Sequence, residues 1–182
     1  DDSLNAASLA RRAVDAGAQM ITVHGRTRQQ FYKGTARWQL VREVVEAVDV
    51  PVVVNGDIVD LATAREALQQ SGADAVMIGR GAQGQPWVVG QIGAALAGRV
   101  GPETPTGAAL ADLVTEHYEA MLSAYGRALG NRMARKHLDW YLEAAGGGLD
   151  KAVRKRLLTG ENTDEVLAMI PDLFSTDWRQ AA

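Results

Sequence analysis

Three short segments share one pattern. QMITVHG (19–25), VPVVVNGD (50–57) and ADAVMIGRG (73–81) each set about four apolar residues ahead of a polar group and a glycine. Runs that are apolar on both faces belong to strands covered on both sides, which is the environment of a parallel sheet. The text between them has helical spacing. Trp38, Val41, Val44, Val45 and Val48 make one stripe, and Leu61, Ala64, Ala67 and Leu68 make another behind an Asp60 cap. A further stripe, Leu4, Ala7, Ala10, Ala13 and Val14, precedes the first strand, with Asp2 or Ser3 as its N-cap and Gly17 beyond its end. Strands alternating with helices predict α/β architecture with parallel strands and crossover helices over residues 1–98.

After Gly98 the pattern changes. GRVGPETPTG is rich in glycine and proline, and no strand-like run follows it. Leu110, Leu113, Val114, Tyr118, Met121, Leu122 and Tyr125 predict a long amphipathic helix closed by Gly126. A second is expected from about Asn131 to Ala145, with shorter pieces over 149–158 and 163–170, the last stopped by Pro171. Residues 99–182 therefore read as a helical domain. In that domain, residues 127–156 hold eight cations against Asp139, Glu143 and Asp150, a net of +5 in a chain whose total is −3. Segregation of this kind is the footprint of a phosphate-binding face. The competing reading is a solvated face in which Arg135 pairs with Asp139 four residues on. Trp140 and Tyr141 either pack inward or stack on bases.

The negative overall charge excludes a general attraction to nucleic acid or anionic membranes, so any such site is a local patch. With no cysteine in the sequence there is no disulfide, thiolate metal site or cysteine nucleophile, and cytoplasmic residence is permitted. No apolar run reaches the length of a membrane span. The chain opens Asp-Asp-Ser without methionine and enters a helix signal at once, which is expected of a piece of a longer protein.

Ligands of parallel sheets and barrels collect at the carboxyl ends of the strands. That rule gathers His24, Asn55, Asp57 and Arg80 on one rim. Gly56 lets a ligand approach the backbone of the second turn. The turn containing Gly79, Gly81 and Gly84, with Arg80 and a helix whose first turn contains Pro86, suits a phosphate. The second and third strands are then read as strands 7 and 8 of a barrel. The plainer alternatives are a histidine satisfied at a strand end, Asn55 and Asp57 capping the next helix or its turn, and a glycine turn that is only a turn.

ITVHGRTRQQFYKGTARW, VPVVVNGDI, GADAVMIGRGAQGQPW and RKHLDWYL together resemble the tRNA-dihydrouridine synthases, particularly the bacterial branch with nitrogen-regulation-like names. The resemblance covers most of the chain. It implies a TIM (β/α)8 barrel followed by a helical tRNA-binding domain, and reduction of the C5=C6 bond of tRNA uridines with FMN and NADPH. It also implies that Asn55, Gly56 and Asp57 contact FMN, that Gly79 and Arg80 lie at its phosphate, and that His24 lies near its ring. Arg26 and Arg28 look like cations bordering the substrate pocket, and the resemblance of the RKH element implies that Arg132, Arg135 and Lys136 lie on a tRNA surface. The departures are large. The family's cysteine acid and a flavin-contacting lysine have no counterpart here, and only three of eight barrel strands are visible. The isolated chain is therefore expected to be inactive, with exposed strand edges that would favour self-association or a missing barrel half. Two alternatives stay open: an FMN-barrel reductase of free pyrimidines, and a non-catalytic RNA-binding module.

Overall fold

A computed structural model describes residues 4–31, 33–146 and 148–175. They form two compact units, residues 4–82 with 87–102, and residues 83–86 with 103–175.

The first unit is built on the three strands, β1 (Ile21–His24), β2 (Val52–Asn55) and β3 (Ala75–Met77). They pair in parallel in the order β1-β2-β3, with His24 level with Asn55 and Asn55 level with Met77. The strand ends are therefore flush. Helices α1 (Ala6–Asp15), α2 (Arg42–Val45), α3 (Leu61–Ser71) and α4 (Trp87–Leu96) precede, separate or follow them. One sheet face, with Val52 and Val54 almost fully buried, packs on Trp38, Val41, Ala64, Ala67 and Ile92. The other bears Thr22, His24, Ala75 and Met77, all exposed, with Met77 at 46%.

Local chemistry explains several boundaries. Asp60 accepts the Thr63 amide at 2.7 Å and starts α3, as its sequence position predicts. Gly72 ends α3 at φ 70°, and the Arg42 guanidinium donates to the carbonyls of Gln69 and Gln70 in its last turn. The expected helix over residues 38–48 is shorter: Trp38–Val41 is a 3-10 turn and α2 adds only one α-turn. Its β-branched valines disfavour a longer helix, and Pro51 forces extended backbone on Val50. The Asp2 and Ser3 caps proposed for α1 lie outside the described residues, and Leu4, expected on its buried stripe, is 51% exposed.

The second unit contains α5 (Gly107–Tyr125), α6 (Arg127–Ala144), α7 (Lys151–Thr159) and α8 (Thr163–Phe174). The chain reverses at the single residue Gly126, at φ 76° and ψ 157°. A Cβ on Gly130 would stand 2.5 Å from the Met121 carbonyl, so glycine there lets the two long helices close on each other. Tyr118, Leu142, Ile170 and Phe174 form the centre. Asn131, itself buried, accepts from the Tyr118 hydroxyl at 3.0 Å and donates to the Gly160 carbonyl at 2.8 Å. Pro171 does not stop α8, which runs on to Phe174. Ile170 and Phe174 flank the proline at 0% and 1% exposure, and burying them outweighs one lost backbone hydrogen bond.

Candidate functional site at the strand ends

Because the strands end level, their polar termini meet. His24, Asn55, Gly56, Asp57, Gly79, Arg80 and Gly81 line one cavity of about 500 Å³. All six residues expected to hold a cofactor are in that lining. Its size falls in the range of small-molecule sites.

Each position has a local cause. The Asn55 amide donates to the Met77 carbonyl at 2.8 Å, continuing the β2–β3 ladder through a side chain. Gly56 turns the chain at φ 115°, and a Cβ there would lie 2.9 Å from the His24 ring, so only glycine lets the imidazole rest on the turn. The buried Trp38 indole donates to the Gly56 carbonyl at 2.7 Å and holds the turn from behind. Gly81 touches the second loop so closely that a Cβ would meet the Ile58 carbonyl at 2.5 Å, whereas a Cβ on Gly79 would meet nothing within 4 Å. The backbone at Gly79 is therefore open to a ligand.

Asp57 sits at φ 54°, an uncommon conformation that aspartate tolerates better than most residues. Its carboxylate accepts from Arg26 through both oxygens, at 2.7 and 2.6 Å, and from the Ala36 amide at 2.8 Å. Arg80 approaches at 3.5 Å. Burial pushes this carboxyl up, but the Arg26 and Ala36 hydrogen bonds and the charges of Arg26 and Arg80 outweigh it and hold it below the usual carboxylate range. Neither Asn55 nor Asp57 serves as the cap of α3, since Asp60 does so.

Arg26, read from sequence as a cation bordering a substrate pocket, has a side chain 4% exposed and turned to Asp57, and with Arg28 it lines a second cavity of about 490 Å³. The carboxylate two residues beyond β2 draws the guanidinium inward. Arg28 is exposed, in a 3-10 turn over Arg28–Gln30. Sequence reasoning missed Trp38 and Ala36 as supports of the site. The only trace of them is the ARW that closes the loop after β1.

The family model for dihydrouridine synthases matches residues 1–175. The chain belongs to the dihydrouridine synthase family. A protein of Rhodobacter capsulatus named as a probable tRNA-dihydrouridine synthase is 54% identical over 182 residues, which is all of this chain and 54% of that protein. One of the same name from Rhizobium leguminosarum is 44% identical over the whole chain and 56% of its own length. The tRNA-dihydrouridine synthase B of Xanthomonas axonopodis is 42% identical over 95% of this chain and 52% of its own. This member of the family thus spans about half the length of the curated relatives it matches.

Among the expected tRNA contacts of this dihydrouridine synthase chain, Arg132 and Lys136 are exposed on α6, and the Lys136 ammonium lies 5.7 Å from the centre of the Trp140 ring. Arg135 is half-buried, with its Nε buried and unpartnered. The Arg135–Asp139 pair weighed as the plainer reading does not form, because Arg154 of α7 takes Asp139 at 2.5 Å and Glu143 at 3.3 Å. Arg127 pairs with Asp164. Lys151, Lys155 and Arg156 are exposed. No helix among the described residues is long and apolar enough to cross a membrane, and no three metal-ligating side chains cluster among them.

Proposed function

We propose that this chain supplies the cofactor rim and RNA-facing helices of a tRNA-dihydrouridine synthase, an oxidoreductase that reduces uridine to 5,6-dihydrouridine in tRNA with FMN and NADPH. The observation that carries the reading is the convergence of His24, Asn55, Asp57 and Arg80 on one cavity of about 500 Å³ at the level strand ends. A family-model match over residues 1–175 and relatives named for this activity support it.

The cavity fits the cofactor. Its wall is open at the Gly79 backbone, and the exposed Arg80 guanidinium stands beside it, a pairing suited to a phosphate. Asn55 and the Gly56–Asp57 turn offer polar groups along the middle of the wall, and His24 lies against that turn. When bound, FMN supplies the hydride that reaches the uracil ring. The residues of this chain would orient and stabilise the flavin: the His24 imidazole, beside its ring, would offset its negative charge, and Asp57 holds Arg26 in place. The general acid that would give the second hydrogen, a proton, to the other uracil carbon is not a cysteine of this chain, which has none. On this reading the chain alone is inactive. The basic face of α6 and α7 takes the tRNA backbone, and the protein works where tRNA does, in the cytoplasm. A partial TIM barrel followed by a helical tRNA-binding domain is the architecture this reading requires. It also requires that the exposed face of the β1–β3 sheet be covered by further barrel strands or by self-association.

Titration of the chain with FMN and with riboflavin, followed by flavin fluorescence, tests the rim. Tighter binding of FMN, with the difference abolished in Arg80→Ala, is expected. Equal affinity for the two flavins would remove the phosphate assignment, and no binding of either would remove the cofactor reading. A purely RNA-binding role, compatible with the absence of cysteine, is left standing by that last outcome and is separated by tRNA binding measured at two salt concentrations.

A further inference from the structure

The loop after β1 is a closed finger. Gly25 donates its amide to the Asn55 carbonyl at 2.8 Å, and Arg37 donates back to the Gly25 carbonyl at 2.8 Å, which shuts residues 25–37 at their base. The base is tied from both ends to Asp57, through Arg26 on one side and the Ala36 amide on the other. Arg26 also donates to the Gly34 carbonyl at 2.7 Å, across the finger. Nearer the tip, the Thr27 amide donates to the Gln30 side chain at 2.9 Å and the Lys33 amide to the Gln30 carbonyl at 2.9 Å.

At the end of this braced segment stands Phe31. Its backbone is at φ 49° and ψ −112°, a region that bulky side chains rarely occupy, and the residue is 71% exposed. Burial of the ring in this chain does not offset that strain. Exposed Arg28 and Lys33 flank it. A flat apolar ring exposed near two cations, on a loop whose described residues are hydrogen-bonded to one another, has the elements of a base-stacking platform for single-stranded nucleic acid. An enzyme that acts on a base must also take that base out of its stack, which leaves a gap that an apolar side chain can fill.

We propose that Phe31 is an RNA-stacking residue: its ring stacks on the nucleobase next to the uridine that is withdrawn for reduction, while Arg28 and Lys33 contact the flanking phosphates. The assignment rests on the tRNA reading above and extends it to a loop outside the helical unit. Arg26 and Asp57 are positioning residues in it, since they root the finger in the wall of the cofactor cavity.

The test is binding of a fluorescently labelled, unmodified tRNA transcript to the 182-residue chain and to Phe31→Ala, Phe31→Leu and Phe31→Trp, at fixed low salt. Stacking predicts affinity lower by about 5- to 150-fold in the alanine and leucine variants and close to wild type in the tryptophan variant. Because the ring is exposed, circular dichroism and FMN affinity should be unchanged in all three, which separates lost stacking from lost folding. Wild-type affinity in Phe31→Ala, or in Phe31→Leu alone, would overturn the stacking assignment. Failure of the wild-type chain to bind the transcript would instead overturn the tRNA reading on which it rests.

Discussion

The carboxylate of Asp57 receives two guanidinium donors and a backbone amide, and the arginine it holds is almost wholly out of water. Removing one partner of such a pair leaves a buried charge uncompensated. Asp57→Ala is expected to cost about 3–5 kcal/mol in urea or guanidinium unfolding, and Arg26→Met with Asp57→Ala to cost less than the sum of the two. The pH dependence follows from the depressed carboxyl. Since the folded state holds its proton less tightly than the unfolded chain, the contribution is complete above about pH 4 and is lost as pH falls through the folded value. Asp60, lowered by its bonds to Thr63, acts in the same direction. A stability profile that stays flat down to pH 2 would contradict the pairing. At Gly56, alanine would combine a backbone angle that suits glycine with a Cβ 2.9 Å from the His24 ring. Gly56→Ala should therefore weaken the proposed FMN binding by about 5- to 30-fold, measured by flavin fluorescence, which corresponds to about one to two kcal/mol of strain.

In the second unit, α5 and α6 meet through a cluster of rings. The His117 imidazole lies 3.0 Å from the Tyr141 hydroxyl, and its ring centre is 5.1 Å from that of His137, which in turn packs edge-on against Trp140. Burial lowers the pKa of His117, and burial with the charges of His117 and Lys136 lowers that of His137. Burial also pushes the Tyr141 hydroxyl up to about 12, so it stays neutral across the physiological range. For a base whose folded pKa is depressed, the unfolded chain takes up the proton more readily. Stability is complete above about pH 6.5 and declines as pH falls below it. The urea midpoint of the chain should drop between pH 7 and pH 5, and His137→Gln should flatten that slope. No change of slope in the variant would mean the cluster does not titrate with unfolding. Helix α8 shows another balance: Pro171→Ala restores a backbone donor in a helix interior and is expected to raise the thermal midpoint, whereas Phe174→Ala should destabilise by about 3–5 kcal/mol.

For the whole molecule, the question under the proposed tRNA reading is how an acidic chain would bind a polyanion. Arg127 and Arg154 are engaged by carboxylates, while Arg132, Lys136, Lys151, Lys155 and Arg156 remain exposed. Binding of tRNA should weaken steeply with salt, and Arg132→Ala with Lys136→Ala should lower the slope of log affinity against log salt by about 0.7–0.9 per lost phosphate contact. An unchanged slope would place the RNA elsewhere. At this scale too, the sequence was informative to different degrees in different places. The three strands, their parallel pairing and the shared rim were legible, because runs of valine and isoleucine ending in a polar residue and glycine have few other ways to fold. The long helix closed at Gly126 was legible from spacing alone. What the sequence by itself determined was therefore local: element type, strand polarity, and which residues stand at strand ends. Only the tertiary structure decided that Arg26 faces Asp57 rather than solvent, that Arg154 rather than Arg135 takes Asp139, and that α8 continues through its proline. Each of those outcomes depends on a partner distant in the chain, whose proximity, burial or charge outweighs a preference of at most a few kcal/mol written into neighbouring residues.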